Sequence, residues 1–458
     1  MKKIILSLFI ATSAQTFAQN REAQFDSLFT HAHAAGQFNG NVLIAEKGTI
    51  IFEKSYGLAN ESTQEPLTGE SVFELASVSK QFTAMGIVLL QKQGKLSYAD
   101  PISKYLPELA FYGHITIRNL LNHTGGLPDY MDFFETHWDK QKFAVNSDIV
   151  AEFARHKPAA LFQPNEKFEY SNTGYALLAS IIEIASGQSY GDFLQTYIFK
   201  PLHMENTCVY RSRYQPKTIP NYALGYISDS LGQKIQPDAL GKQFYTYYLD
   251  GIVGDGMVNA TTGDLLKWDR ALYTNALISK KDRKLIFSAA RTKDGQDSGY
   301  GFGWMIGDHP KYGKIVGHSG SWAGYINYID RHLESDKTII MLQNNALPTT
   351  EIPTKEVRSI LYGEPQANAL KKRTVQSADL EQYLGVYAHP KLPIKITVTQ
   401  KDAVLMAQAS GQSAFPLDAY EGHTFLFNPA EIRIVFHPAD KTMVMYQGGG
   451  EFKFTREL

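Results

Sequence analysis

Gly40-Asn41-Val42-Leu43-Ile44-Ala45 and Thr49-Ile50-Ile51-Phe52-Glu53 are β-rich runs joined across Glu46-Lys47-Gly48, which predicts a hairpin. The hydrophobic period then lengthens. From Ser77 to Gln93 the apolar residues Phe82, Met85, Val88 and Leu89 recur at helical spacing, and Gly94 stands where a C-terminal cap is expected. Such a helix is apolar enough to be buried. Thr116 to Leu121 reads as a short helix running into the turn-rich Asn122-His123-Thr124-Gly125-Gly126-Leu127-Pro128. A second strongly apolar helix follows Asn172, through Tyr175, Leu177, Leu178, Ile181 and Ile182, to Gly187. Strand signals return at Lys314-Ile315-Val316-Gly317, from Gly324 to Asp330, and at Thr338-Ile339-Ile340-Met341-Leu342. A hairpin at one end and three strands at the other, with helices between, predict one antiparallel sheet built from both ends of a domain. The class is α/β in the broad sense (α+β), without the alternation of a doubly wound sheet.

Near Glu364 this pattern gives way to the polar, basic stretch Gln366 to Ser377, the best linker candidate. Beyond it, Ile394, Ile396 and Val398 alternate with polar partners, as do Ile432, Ile434 and Phe436, then Met443 and Met445, then Phe452 and Phe454. Period-two runs between turn residues predict a small all-β barrel or sandwich. At the other end, Met1-Lys2-Lys3, the apolar run Ile4 to Ile10 and the exit Thr16-Phe17-Ala18 have the three parts of a secretory signal peptide, cut after Ala18. The run is too short to span a bilayer, so no integral membrane segment is expected after cleavage, and the protein is expected to be periplasmic or secreted. The expected organisation is a signal peptide over 1–18, a first domain over 19–365, a linker over 366–378 and a β-barrel over 379–458.

Composition narrows the function. Lys and Arg total 45 against 46 Asp and Glu, a net charge of −1, which provides no field to attract nucleic acid. Cys208 is the single cysteine and cannot form an internal disulfide; with no neighbouring His or Asp it reads as a small buried side chain.

Ser77-Val78-Ser79-Lys80 places a hydroxyl and an amine one helical turn apart on one face. A serine hydroxyl becomes a nucleophile when a neighbouring base takes its proton, and a lysine in a dry, crowded site can be that base. A chain this long holds roughly one or two such spacings by chance, so the companions matter. Tyr170-Ser171-Asn172 presents a phenol, a hydroxyl and a carboxamide at a helix entry. The phenol can relay a proton to a leaving group, and Asn172 can hydrogen-bond a substrate amide and help to hold Lys80. His318-Ser319-Gly320 ends a β-run, where Gly320 would let a substrate lie close against the strand. No motif calls for a metal or other cofactor.

In order and approximate spacing these three sites resemble the serine β-lactamase and penicillin-binding-protein-like superfamily, and within it the class C-like branch. The likeness extends to Phe73-Glu74-Leu75-Ala76-Ser77-Val78-Ser79-Lys80-Gln81-Phe82-Thr83-Ala84, to Leu120 to Pro128, to Gly254-Asp255-Gly256-Met257-Val258-Asn259 and to Tyr300-Gly301-Phe302-Gly303-Trp304, covering about residues 24–362. The segment from Tyr383-Leu384-Gly385-Val386-Tyr387 onward resembles the lipocalin-like barrel often appended to such proteins. The resemblance implies an antiparallel sheet flanked by helices with an all-helical subdomain. It makes Ser77 the acylated nucleophile, Lys80 its base, Tyr170 a proton shuttle and Asn172 a substrate contact. It puts the oxyanion hole at the backbone N–H groups of Ser77 and Ser321, and it leaves His123 a structural role.

One departure bears on substrate. Classical members carry Lys-Thr-Gly or Lys-Ser-Gly where this chain has His318-Ser319-Gly320, and a histidine is largely neutral near pH 7.5, so a substrate carboxylate loses its fixed cation. The expected protein is an exported serine hydrolase of D-amino-acid-containing peptides, with small esters second and β-lactams third. The alternative is a binding or sensor protein with the barrel as its working part; the intact Ser, Lys, Tyr and Asn set counts against it.

Overall fold

The computed structural model describes residues 21–364, 373–390, 394–412, 414–427, 430, 432–447 and 450–457. The expected signal peptide and residues 366–372 of the expected linker lie outside them. The chain divides into two compact units that meet at Thr354/Lys355, ahead of the expected boundary at 365, so the helix Thr354–Leu361 groups almost entirely with the second unit.

The first unit is organised on a six-stranded sheet. Its strands are β1 (Gly40–Glu46), β2 (Thr49–Tyr56), β3 (Met305–His309), β4 (Gly313–Trp322), β5 (Tyr325–His332) and β6 (Lys337–Gln343), in the order β3-β4-β5-β6-β1-β2. Every neighbouring pair is antiparallel, and Leu43 opposite Ile340 joins the two ends of the unit. β6 is buried on both faces, with Ile339, Ile340, Met341 and Leu342 all inaccessible, which is why it reads as an unbroken apolar run. β3 was not anticipated; its sequence Met-Ile-Gly-Asp-His is mostly exposed and shows no alternation. It pairs only with Gly313–Gly317, so from His318 to Trp322 β4 has a strand partner on the β5 side alone. That open edge borders the site described below.

Between β2 and β3 lie most of the helices. A 3₁₀ turn, Ala76–Ser79, leads directly into α1 (Lys80–Lys92), whose first eleven residues are all buried. Gly94 follows its end at φ +71°. α2 (Asn172–Ser186) starts at Ser171, whose Oγ accepts from the Gly174 N–H at 3.1 Å, and stops at Gly187 in the left-handed region. These signals delimit the two expected apolar helices.

The second unit holds a closed eight-stranded antiparallel barrel from Gly385–Ala388 to Gly450–Arg456, shut by pairing of Tyr387 with Arg456. Its register sets Ile434 opposite Met445, and Met443 opposite Phe436 and Phe454, so the period-two residues meet across the strands. Ile394 does not belong to that set: it precedes the strand Lys395–Lys401 and is 41% exposed. Tyr383, Phe425 and Phe436 are buried with ring centroids 4.9–5.5 Å apart, and they fill interior space with side chains as an eight-stranded barrel permits.

Candidate active site

Ser77 sits in the 3₁₀ turn ahead of α1, immediately after Ala76, which adopts φ +49° although it is not glycine. A left-handed alanine is a strained element, and such strain is commonly held at functional positions. β4 crosses this turn closely. A Cβ at Gly320 would lie 2.2 Å from the Leu75 carbonyl oxygen and 3.2 Å from the Val78 nitrogen, so only glycine lets the strand approach. The close neighbour of Gly320 is therefore the Ser77 turn itself, not a substrate.

Lys80, one turn on, is wholly buried. Its Nζ donates to Ser77 Oγ at 3.1 Å, Asn172 Oδ1 at 3.0 Å and the Asp255 carbonyl oxygen at 2.8 Å. Asn172 is oriented by its own amide, which donates to Asp129 Oδ2 at 3.2 Å and leaves Oδ1 for the lysine. An amide oxygen and a backbone carbonyl only accept, whereas a hydroxyl also has a proton to give. Asn172 and Asp255 can therefore only accept from Nζ, while Ser77 Oγ is the one partner that can also donate to it.

Asp255 reaches this position because Gly254, at φ +106°, lies tight against α2: a Cβ there would be 2.5 Å from the Tyr175 carbonyl oxygen. The Asp255 carboxyl accepts from Tyr130 Oη at 2.8 Å, and burial pushes its pKa up against the opposing charge of Lys80. Neither Asp129 nor Asp255 was singled out in the sequence. Gly254-Asp255-Gly256 was visible as a block, yet it acts through a carbonyl, which no side-chain pattern encodes.

The Lys80 Nζ lies 4.9 Å from the centre of the Tyr170 ring, and Tyr170 Oη is buried without a hydrogen-bond partner. His123 packs on that ring at 4.4 Å, and its Nδ1 accepts from the Ser171 N–H at 3.1 Å, which puts its proton on Nε2. Burial, reinforced by the charges of Lys80 and His318, holds His123 well below the ordinary histidine range. It is a neutral ring that packs against Tyr170 and accepts from the backbone of Ser171.

His318 is placed differently from expectation. It is buried on the face of β4 that also carries Gly320; its Nδ1 donates to the Ser319 carbonyl oxygen at 2.6 Å, and its Nε2 accepts from Tyr300 Oη at 2.9 Å. Burial drives its pKa down to about 3, so it is neutral at working pH. Neither His318, Ser319 nor Gly320 lines the cavity over Ser77; the strand contributes Ser321, Trp322 and the following Ala323 instead. His318→Lys is accordingly expected to cost about 3–5 kcal/mol of stability by burying an unpaired ammonium near Lys80, without improving turnover of carboxylate-bearing substrates. Denaturation midpoints and paired assays of anionic and neutral esters check both halves.

The cavity has a volume of about 650 Å³. Ser77, Asn172, Tyr245, Asp255, Ser321 and Trp322 are on its wall, so both residues expected to supply oxyanion N–H groups border one space. Among the described residues that line it, no Lys, Arg or His occurs; the ionisable side chains are Glu74, Asp255 and the phenols of Tyr130 and Tyr245. Among the described residues no group of three or more His, Cys, Asp or Glu is arranged to hold a metal ion. No helix of the described residues is long and apolar enough to cross a membrane.

A sheet built from both ends of the first unit, helices inserted between them, and a serine–lysine pair beside a cavity define a serine hydrolase of the β-lactamase-like class. The chain belongs to the beta-lactamase family, whose family model matches residues 25–360. A domain of unknown function, DUF3471, matches residues 369–445. Penicillin-binding protein 4* of Bacillus subtilis (strain 168) is 40% identical over 449 residues, covering 96% of this chain and 99% of that protein. Among solved structures, the octameric penicillin-binding protein homologue from Pyrococcus abyssi superposes with a TM-score of 0.64 at 24% identity, covering 94% of this chain and 99% of its own. The D-amino acid amidase from Ochrobactrum anthropi SV3 does so with 0.61 at 24%, covering 76% and 99%. At these identities the two structures establish the shared fold.

Proposed function

We propose that this protein is an exported serine hydrolase that forms an acyl-enzyme on Ser77 and transfers the acyl group to water, acting on amide or ester bonds of D-amino-acid-containing peptides. The observation that carries the reading is the three-way anchorage of Lys80, which holds its Nζ 3.1 Å from Ser77 Oγ. Lys80 accepts the Ser77 proton as Oγ attacks the carbonyl carbon. The backbone N–H groups of Ser77 and Ser321 receive the developing oxyanion, the kind of stabilisation that is typically worth several kcal/mol. Tyr170, beside Lys80 with an uncommitted hydroxyl, passes the proton to the leaving group, and water then repeats the sequence in reverse. Asn172 holds Lys80 and meets the substrate at the cavity wall.

Peptidase chemistry is favoured over β-lactam hydrolysis by the lining of the cavity, which has no fixed cation for a substrate carboxylate. Kinship with a penicillin-binding protein over nearly the whole chain supports D-amino-acid substrates, and the fold shared with a D-amino acid amidase agrees with that choice. The amino-terminal sequence Met1 to Ala18 supports export.

Intact-mass measurement after exposure to a fluorophosphonate, a D-alanyl ester and a penicillin tests the reading. Wild-type protein is expected to gain the fluorophosphonate and D-alanyl masses, and Ser77→Ala neither. Folded wild-type protein that takes up none of the three would remove the enzyme reading in favour of a binding protein.

A further inference from the structure

Glu74 is the one acidic side chain common to two cavities. It lines the Ser77 cavity and a second, of about 360 Å³, whose wall includes Tyr210, Arg213, Tyr222 and Tyr325; Trp322 and Ala323 are also shared. Its backbone is fixed: the strand Phe73–Glu74 pairs with Val258–Ala260, and the Glu74 carbonyl accepts from Asn327 Nδ2 at 2.8 Å. Glu74 is only 5% exposed, and among the described residues none hydrogen-bonds or ion-pairs with its carboxyl; the charges of Asp250, Arg213 and Asp255 act on it from a distance. Arg213, the cation that acts on it, is already engaged by Asp238 and Asp250.

An ionised carboxyl buried at a cavity wall without a partner is costly, and the cost is relieved when it takes up a proton or when a cationic ligand completes it. The groups facing Glu74 are Asp250 and Asp255, Arg213, and the phenols of Tyr222, Tyr245 and Tyr325. What this set lacks is a free cation. Glu74 also stands three residues before Ser77 and shares its wall with Ser321, the expected oxyanion residue, with Trp322 at the end of β4 and with Ala323 after it. Ser77 and Glu74 therefore border one cavity, the space open to an acyl group attached to Ser77.

We propose that Glu74 is a specificity-determining residue that receives a primary ammonium carried by the acyl half of the substrate. The proposal rests on the serine-hydrolase reading and names its substrate class: amides and esters whose acyl group bears a free amine. Burial, then the like charges of Asp250 and Asp255, push Glu74 up to about 8, and an α-ammonium titrates at about 7.7–8.0. The bound pair therefore carries one proton between two groups of similar pKa. Selectivity for the free amine should pass through a maximum near pH 8.

D-Alanine p-nitroanilide and its N-acetyl derivative separate the outcomes. In wild-type enzyme kcat/KM should favour the free amine by about 100-fold, because acetylation removes the charge and leaves a buried carboxyl unmet. In Glu74→Gln the ratio should fall to near unity, and Glu74→Asp should keep part of it. The amide removes a buried ionisable group without changing its shape, and the ratio reads selectivity independently of the amount of active protein. A wild-type enzyme with no preference for the free amine overturns the proposal whatever the variant does, and so does an unchanged ratio in Glu74→Gln. Turnover of neither anilide, while Ser77 still takes up the fluorophosphonate, also overturns it and leaves the hydrolase reading standing. Failure of Ser77 to react with any probe removes both.

Discussion

Lys80→Met is expected to lower kcat/KM by about 10⁴-fold for every substrate that acylates Ser77, the scale on which removal of a base that acts as a unit with its nucleophile is felt. Methionine preserves the length of the stem, but its thioether cannot take the Ser77 proton. Lys80→Arg should fare little better, because a guanidinium stays charged and can offer no lone pair. Lys80→Met also has a structural consequence that must be measured beside the kinetics. Asn172 Oδ1 and the Asp255 carbonyl oxygen take their hydrogen bonds from Lys80, and a buried acceptor left unmet costs about 1–3 kcal/mol. The discriminating measurement is the burst of product release from an activated ester in folded protein. The burst should vanish in Lys80→Met under conditions where the melting transition is intact. Activity within tenfold of wild type would show that Ser77 finds its base elsewhere, with Tyr170 the group next in line.

That prediction draws on features of unequal visibility in the sequence. The Ser77–Lys80 spacing is local, and one helical turn is enough to bring hydroxyl and amine together. The sheet strands β1, β2, β4, β5 and β6 were visible from their runs of apolar and β-branched residues, and the barrel was visible because its strands alternate. β3 escaped because an exposed edge strand with a central glycine and charged neighbours carries no apolar signature. Asp255 escaped because its contribution is a backbone oxygen placed by the positive φ of Gly254. His318 shows a different limit. Its residue type suggested a neutral substitute for a cation at the substrate, but type does not tell which face of the strand it occupies. The face is set by Gly320 seated on the Ser77 turn, which turns His318 toward Tyr300. Among the described residues that line the cavity there is no Lys, Arg or His, so a fixed cation is missing there whichever way His318 faces.

Asp269→Leu is expected to be the most destabilising single substitution in the hydrolase unit outside the site, at about 3–5 kcal/mol, because it strands a buried arginine. Asp269 lies on α3 (Thr262–Ala271) and Arg331 on β5; both are fully buried, and the Arg331 Nε and Nη2 groups donate to the Asp269 carboxylate and carbonyl oxygen. The guanidinium also lies 4.7 Å from the centre of the Tyr273 ring, 5.2 Å from Phe287 and 5.6 Å from Trp304. Those rings cannot replace a counter-charge. The two single substitutions should differ. Arg331→Met leaves Asp269 with Arg270, whose Nε donates to it at 2.7 Å, and so should cost less. The double variant Asp269→Leu/Arg331→Met should recover much of the loss, since a buried pair replaced by apolar groups of similar volume is often close to neutral. All four tryptophans, Trp138, Trp268, Trp304 and Trp322, belong to the first unit, so tryptophan fluorescence in guanidinium reports its unfolding selectively. If Asp269→Leu and Arg331→Met shifted the midpoint equally and the double variant added their effects, the pair would not be coupled. The bond between α3 and β5 would then be incidental to holding the helix on the sheet.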